Sequence, residues 1–169
     1  MTDKFIIEVS TTLKRLTHLF SKGINITHKE NIYELWYYSV ILEILIHLKD
    51  LTQKLKKLNN GIYFSDDIPA TKDYDNITSL VAHFRDAACH NDSERRRNKK
   101  GYLYAGNVFA AYDYIDDITI LMGDSKILLK RHLLRLYKEV MQKFIDYEVF
   151  NNNDDFKEAL EWAKYLALI

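Results

Sequence analysis

The sequence predicts a mainly α-helical protein, an antiparallel helical bundle with a small β-hairpin near residues 117–129. Three observations predict it. Apolar residues recur at three- and four-residue intervals along most of the chain, which is the period of one helix face. The 169 residues include one proline and five glycines, and Gly23, Gly61, Pro69, Gly101, Gly106 and Gly123 all fall between the periodic segments, where helices can end. Against that background "DITILMGDSKILLK" stands out, because two β-branched apolar runs flank Gly123-Asp124-Ser125. That pattern reads as two strands around a tight turn.

The elements follow in order. A first helix is expected from Asp3 to Phe20, with Ile6, Val9, Leu13, Leu16 and Phe20 on one stripe. Thr27 and Glu30 have the spacing of a capping box, in which side chains at both ends satisfy each other's free backbone amides. A second helix should therefore run from about Lys29 to Leu58, burying Tyr37, Ile41, Ile44, Leu48, Leu51, Leu55 and Leu58. "NNGIYFSDDIPATKD" has the composition of a loop. Asp75 or Asn76 can cap a third helix whose buried stripe is Ile77, Leu80, Val81, Phe84 and Ala88, fraying after His90. After the hairpin, Leu129, Leu133, Leu136, Val140, Phe144 and Tyr147 return to helical spacing. "NNND" interrupts, and Phe156, Leu160, Ala163 and Ala167 mark a last helix. The length suits one domain spanning 1–169 with a core of its own.

Composition narrows the function classes. Lys+Arg and Asp+Glu stand at 24 each, so net charge gives no reason to expect a nucleic acid or a membrane, and any such partner must be recognised by local clustering. A single cysteine excludes an internal disulfide and suits a reducing compartment. "MTDKFIIEVSTTLKR" is broken by charge too early for a signal peptide. "LWYYSVILEILIHL" is too short and too polar to span a bilayer. A cytoplasmic protein without a membrane partner is expected.

The stretch "FRDAACHNDSERRRNKKG", residues 84–101, carries the candidate chemistry. With Phe84 at the centre of the buried stripe, Arg85 falls on one flank. His83, Asp86 and His90, spaced i, i+3, i+7, are expected to line the side facing away from the core. Such a line is either solvated or an interface, and at a two-fold interface the same groups converge from two chains.

Arg85-Asp86-Ala87-Ala88-Cys89-His90 resembles the R-x4-H motif of HEPN domains. It also stands where that family has it, near the C-terminal end of a helix that follows a long helical hairpin. The resemblance covers roughly residues 1–148 as architecture and about seven residues as motif. It implies a compact helical bundle, dimerisation that brings two motifs into one site, and metal-independent endoribonuclease activity of the toxin or antiphage kind. The position after Arg85 departs from the commonest form: Asp86 stands where that form has Asn, and a carboxylate there opposes phosphate. Asn91 is the candidate to supply a comparable amide.

The chemistry explains the residue types. RNA cleavage without a metal uses the substrate's 2′-OH as nucleophile, so a group must move protons near neutral pH, as histidine does. The phosphate gains negative charge on the way, and a permanently cationic, fork-shaped guanidinium can hold two of its oxygens. Arg85 and His90 project about 140° apart on a helix, so two chains supply the site more readily than one.

Supporting residues are read with their alternatives. Arg95, Arg96, Arg97, Lys99 and Lys100 put five cations in six residues. This is either a solvated loop or a sequence-independent grip on RNA. Tyr102 and Tyr104 could stack on bases, with packing as the plainer reading. Glu43, inside an apolar run, needs a partner; Arg85 or His90 on the third helix is the natural one, and Glu43 is expected to orient Arg85. Glu43 and His47 could instead share a divalent ion from consecutive turns, but no further ligands stand out, so no metal or other cofactor is expected. Cys89 cannot pair with the adjacent His90 within one chain and is expected to be a small, half-buried filler. Two functions stay open: the endoribonuclease, and a catalytically silent helical dimer that docks nucleic acid or a protein. The expected partners are a second copy through the third helix, RNA, and an antitoxin or other regulatory protein.

Overall fold

The computed structural model describes residues 1–23, 35–90, 110–114 and 117–165. The Thr27–Glu30 capping box, Asn91, the basic run at 95–100, Tyr102, Tyr104 and Ala167 lie outside them.

Five α-helices and a three-stranded sheet make up the described chain: α1 (Asp3–His18), α2 (Leu35–Lys57), α3 (Ile77–Cys89), β1 (Ala110–Tyr114), β2 (Asp117–Met122), β3 (Ser125–Leu128), α4 (Arg135–Ile145) and α5 (Asp154–Tyr165). The protein is mainly α with a small antiparallel sheet. Helix α1 packs on α5 and α2, and α2 packs along α3 and touches α4. Most of the expected stripes are buried: Val9, Leu13, Leu16 and Phe20 from α1 and the turn after it; Ile41, Ile44, Leu48, Leu51 and Leu55 from α2; Ile77, Leu80, Val81, Phe84 and Ala88 from α3, whereas Ile6 and Leu58 are only partly buried. Helix α1 ends at His18, two residues before the expected Phe20, and a π-turn at Leu19–Gly23 still carries Phe20 into the core. No helix among the described residues is long and apolar enough to cross a membrane.

The expected hairpin is β2–β3, with Met122 opposite Ser125. Its two-residue turn starts at Gly123, whose φ of 59° is open to glycine without steric cost and matches the twist of the strands. A further strand, β1, pairs antiparallel with the other edge of β2, Ala111 opposite Ile120, so the expected hairpin is part of a three-stranded sheet. A second π-turn, Leu129–Leu134, runs from β3 into α4. Asp117 anchors this junction. Its buried carboxylate accepts the backbone N–H of Ile118 (2.8 Å), Lys130 (2.7 Å) and Arg131 (3.0 Å). The neighbouring His132 is buried and accepts the Leu128 N–H at Nδ1 (3.1 Å). Burial pushes its pKa down, against the opposing pull of Asp117 and Asp67.

At the centre of the core Tyr137 is fully buried, 2.6 Å from the Thr17 hydroxyl and tilted against Phe20. Burial pushes its pKa up from 10.0 to about 12, the Thr17 hydrogen bond opposing. The folded state thus holds the phenolic proton more tightly than the unfolded chain. The associated stability is complete below pH 10 and is lost as pH rises towards 12, about 2–3 kcal/mol in all. Tyr137→Phe should flatten this part of the alkaline stability profile in urea titrations at pH 8 to 12. An unchanged profile would remove Tyr137 as its source.

Candidate phosphate site at the end of the third helix

Helix α3 is docked at its start and tied along its length. Asn76 caps it, accepting the Ser79 N–H, while Ser79 Oγ accepts the Asn76 N–H, the capping-box exchange. The Ile77 N–H bonds Phe64 O (2.9 Å) and the Thr78 hydroxyl donates to Ile62 O. These bonds hold α3 on the preceding loop and fix the rotation at which its C-terminal half meets α2.

That rotation corrects one expectation. His83 does not face away from the core: it is 5% exposed. Its Nε2 lies 3.3 Å from Ser125 Oγ, which also accepts the Tyr74 hydroxyl (3.2 Å), and its ring meets Tyr74 edge-on at 5.0 Å. Tyr74 from the loop and Ser125 from β3 cover this side of α3, so the polar line His83, Asp86, His90 is not a continuous outer face. Instead, His83 clamps α3 to the hairpin.

The rest of the motif lies at the edge of the fold. Arg85 is half-buried, and its Nη1 donates to Oδ1 of Asp86 (3.0 Å). The same oxygen accepts Lys49 Nζ from α2 (2.8 Å). Burial works to raise the Asp86 pKa, but the hydrogen bonds from Lys49 and Arg85 and their charges outweigh it, and the carboxyl sits below its usual range. Among the described residues Asp86 is thus an anion tied to two cations rather than an unscreened negative charge beside Arg85. Helix α3 ends at Cys89, and His90, exposed, turns the backbone into an extended conformation (φ −121°, ψ 107°). Cys89 is exposed, not half-buried as expected: it is the last residue of α3 and stands about 140° round the helix from Phe84, off the buried stripe.

Glu43 does not orient Arg85. It accepts Arg15 Nε from α1 (2.6 Å) and lies 3.5 Å from Nε2 of His47. The hydrogen bond from Arg15 lowers its pKa against the effect of burial, with further help from Arg15's charge and from His47. The reason is packing: α1 lies beside α2 on this flank and brings Arg15 within reach. Asp50 pairs with Lys54, one turn on. Among the described residues no group of three or more His, Cys, Asp and Glu side chains comes together as a metal site would require.

Sequence reasoning missed Lys49. The available signal was a cation bordering the α2 stripe and an anion bordering the α3 stripe, on helices that follow one another and therefore pack. Lys49, Arg85, Asp86 and His90 place two fixed positive charges, one negative charge and one titratable imidazole at one end of α3. Lys49 and Arg85 are the groups among them that can hold a phosphate, and His90 the one that can move a proton. A surface cleft between the start of α1 and the turn before α5, lined by Asp3, Ile6, Ile7, Val149, Asn152 and Asn153, contains none of these residues. No protein-family model, curated protein or solved structure matches the chain.

Proposed function

We propose that the protein is a metal-independent endoribonuclease of HEPN type, a cytoplasmic toxin or antiphage effector in which Arg85 and His90 of two copies form one composite site. The observation that supports it most is the division of labour at the end of α3: a guanidinium held in place by the fold, and an exposed imidazole at the residue where the backbone leaves the helix. In the reaction one His90 takes the proton of the RNA 2′-OH as that oxygen attacks phosphorus. The partner's His90 gives a proton to the departing 5′-oxygen, and Arg85 balances the charge on the phosphoryl oxygens. The products are a 2′,3′-cyclic phosphate and a 5′-hydroxyl.

A second reading, a catalytically silent helical dimer that binds nucleic acid or a protein partner, is favoured by one observation. The Asp86 carboxylate already occupies an N–H of Arg85. Purified protein incubated with RNA in EDTA decides between them, with light scattering alongside. The endoribonuclease is expected to be dimeric at tens of micromolar and to leave cyclic-phosphate ends. Intact RNA after long incubation with a dimeric protein supports the silent dimer, and a monomer removes the composite site.

The basic run at 95–100 is proposed to track the RNA backbone. Replacing Arg95, Arg96 and Arg97 with Ser should weaken RNA binding and reduce the slope of log K against log salt by about 0.7 per lost contact for a single strand. The fold should be unaffected. An unchanged slope returns the run to a solvated loop. An antitoxin or other regulatory protein is the remaining proposed partner.

A further inference from the structure

We propose that Lys49 and Arg85 form a two-cation seat for a single phosphate group, and that Asp86 fills this seat until a phosphate displaces it. One carboxylate oxygen, Oδ1 of Asp86, accepts both Lys49 Nζ (2.8 Å) and Arg85 Nη1 (3.0 Å). Two donors from different helices that converge on one anionic oxygen are already spaced for a phosphoryl oxygen, which has the same charge and hydrogen-bonding character.

The two bonds differ in quality. Lys49 reaches Asp86 across the α2–α3 contact, and its side chain is 20% exposed. Arg85 and Asp86 are adjacent in sequence, and neighbouring helical residues diverge by about 100°. Asp86 therefore meets the guanidinium sideways, through Nη1 alone, and cannot take the two-point fork that carboxylates and phosphates prefer. An incoming phosphate is not tied to the helix and can take the fork with two oxygens, leaving a third for Lys49. Lys49 has three N–H donors and can hold the displaced carboxylate and the phosphate at once, so no charge is left stranded during the exchange. Asp86 thus weakens the binding of every anion, and a ligand that also makes phosphate contacts elsewhere displaces it more readily than a lone phosphate does. The seat itself requires only phosphate. That the phosphate belongs to an RNA backbone rests on the endoribonuclease reading.

Calorimetric titration with inorganic phosphate at low salt tests the seat, and titration with a 2′-O-methyl oligoribonucleotide, which cannot be cleaved through its blocked 2′-oxygen, tests the source of the phosphate. Asp86→Asn should bind inorganic phosphate about tenfold more tightly than the natural protein, as removal of one nearby negative charge implies. Adding Lys49→Met or Arg85→Gln to Asp86→Asn should each erase that gain. The oligonucleotide should follow the same order. If Asp86→Asn lowers the melting temperature without changing phosphate affinity, the cluster is an α2–α3 tie only and the proposal is overturned. A gain for inorganic phosphate but not for the oligonucleotide supports the seat and assigns it to a free phosphate compound. If Asp86→Asn does not fold, Lys49→Met against Lys49→Arg decides: loss of phosphate binding with Met and retention with Arg supports the seat, and equal binding overturns it. Absence of RNA cleavage by the natural protein leaves these titrations valid, so failure of the endoribonuclease reading and failure of the seat are separate results.

Discussion

Replacing either His90 or Arg85 with alanine is expected to abolish RNA cleavage while the fold survives. Neither side chain belongs to the buried core: His90 is exposed, and Arg85 is half-buried with Asp86 as its partner. Truncating His90 should alter stability by no more than about 0.5 kcal/mol, the usual range for surface positions. Truncating Arg85 leaves Asp86 held by Lys49, so no carboxylate loses all its partners. The kinetic losses are far larger. Removing a positioned acid or base lowers the rate by about 10²- to 10⁴-fold, and removing a donor to the developing phosphate charge costs about 10²- to 10³-fold. Because the proton transfers and the charge stabilisation are assigned to side chains, cleavage by the natural protein should persist in EDTA. If expression of the natural protein slows bacterial growth, both variants should relieve it. Mixing the two inactive variants adds a sharper test. A composite site built from two chains predicts a pH–rate profile and residual activity in the mixed dimers that differ from those of either variant alone. A His90→Ala protein that cleaves as fast as the natural one sinks the endoribonuclease reading and leaves the silent dimer.

How much of this was legible in the sequence depended on how local each cause is. The α3 stripe of Ile77, Leu80, Val81, Phe84 and Ala88 could be read because one helix face meets the same neighbour turn after turn. The hairpin could be read because Gly123 sits between two β-branched runs, and a positive φ at the turn is a local demand. Strand β1 was missed because "AAYDY" has too few residues for its period to be seen, and it becomes a strand by pairing with β2. The candidate site divides along the same line. Arg85 could be placed on the flank of the α3 stripe, since that needs only the helix repeat. The partners of its neighbours could not. His83 was expected outside because nothing in α3 announces that Tyr74 and Ser125, from two other segments, close over it. Glu43 was assigned to Arg85 because both border facing stripes, but the packing of α1 puts Arg15 there first. The tie of Lys49 to Asp86 is not legible in the sequence because it joins residues 37 positions apart.

The largest structural effect is expected at Asp117, a residue that reads in sequence as the polar start of a strand. Its side chain is 3% exposed, and it accepts three backbone N–H groups, from Ile118, Lys130 and Arg131, with Arg131 Nε 3.7 Å away. Lys130 and Arg131 open the π-turn between β3 and α4, whose first amides have no partner within the turn itself, so Asp117 does for this turn what a capping side chain does for a helix. A buried donor that loses its acceptor costs about 1–3 kcal/mol. Asp117→Ala deprives three such groups at once, and even with relaxation towards water the loss should reach about 3–5 kcal/mol. Asp117→Asn keeps one carbonyl oxygen where Oδ1 accepts Ile118 and Lys130, but its NH₂ group meets the Arg131 N–H, so an intermediate loss of about 1–2 kcal/mol is expected. Urea unfolding should show both as shifts in midpoint with an unchanged slope, which separates lost stability from a change in the unfolded chain. The effect should also reach the candidate site. β3 carries Ser125, Ser125 holds His83, and His83 sits two residues before Arg85 on α3. Hydrogen exchange in Asp117→Ala should therefore quicken in β3 and in the C-terminal half of α3 before it quickens in α1 and α5. Uniform loosening of all helices would mean that the hairpin and α3 are not coupled through this route, and a midpoint equal to that of the natural protein would mean that the three amides find other acceptors.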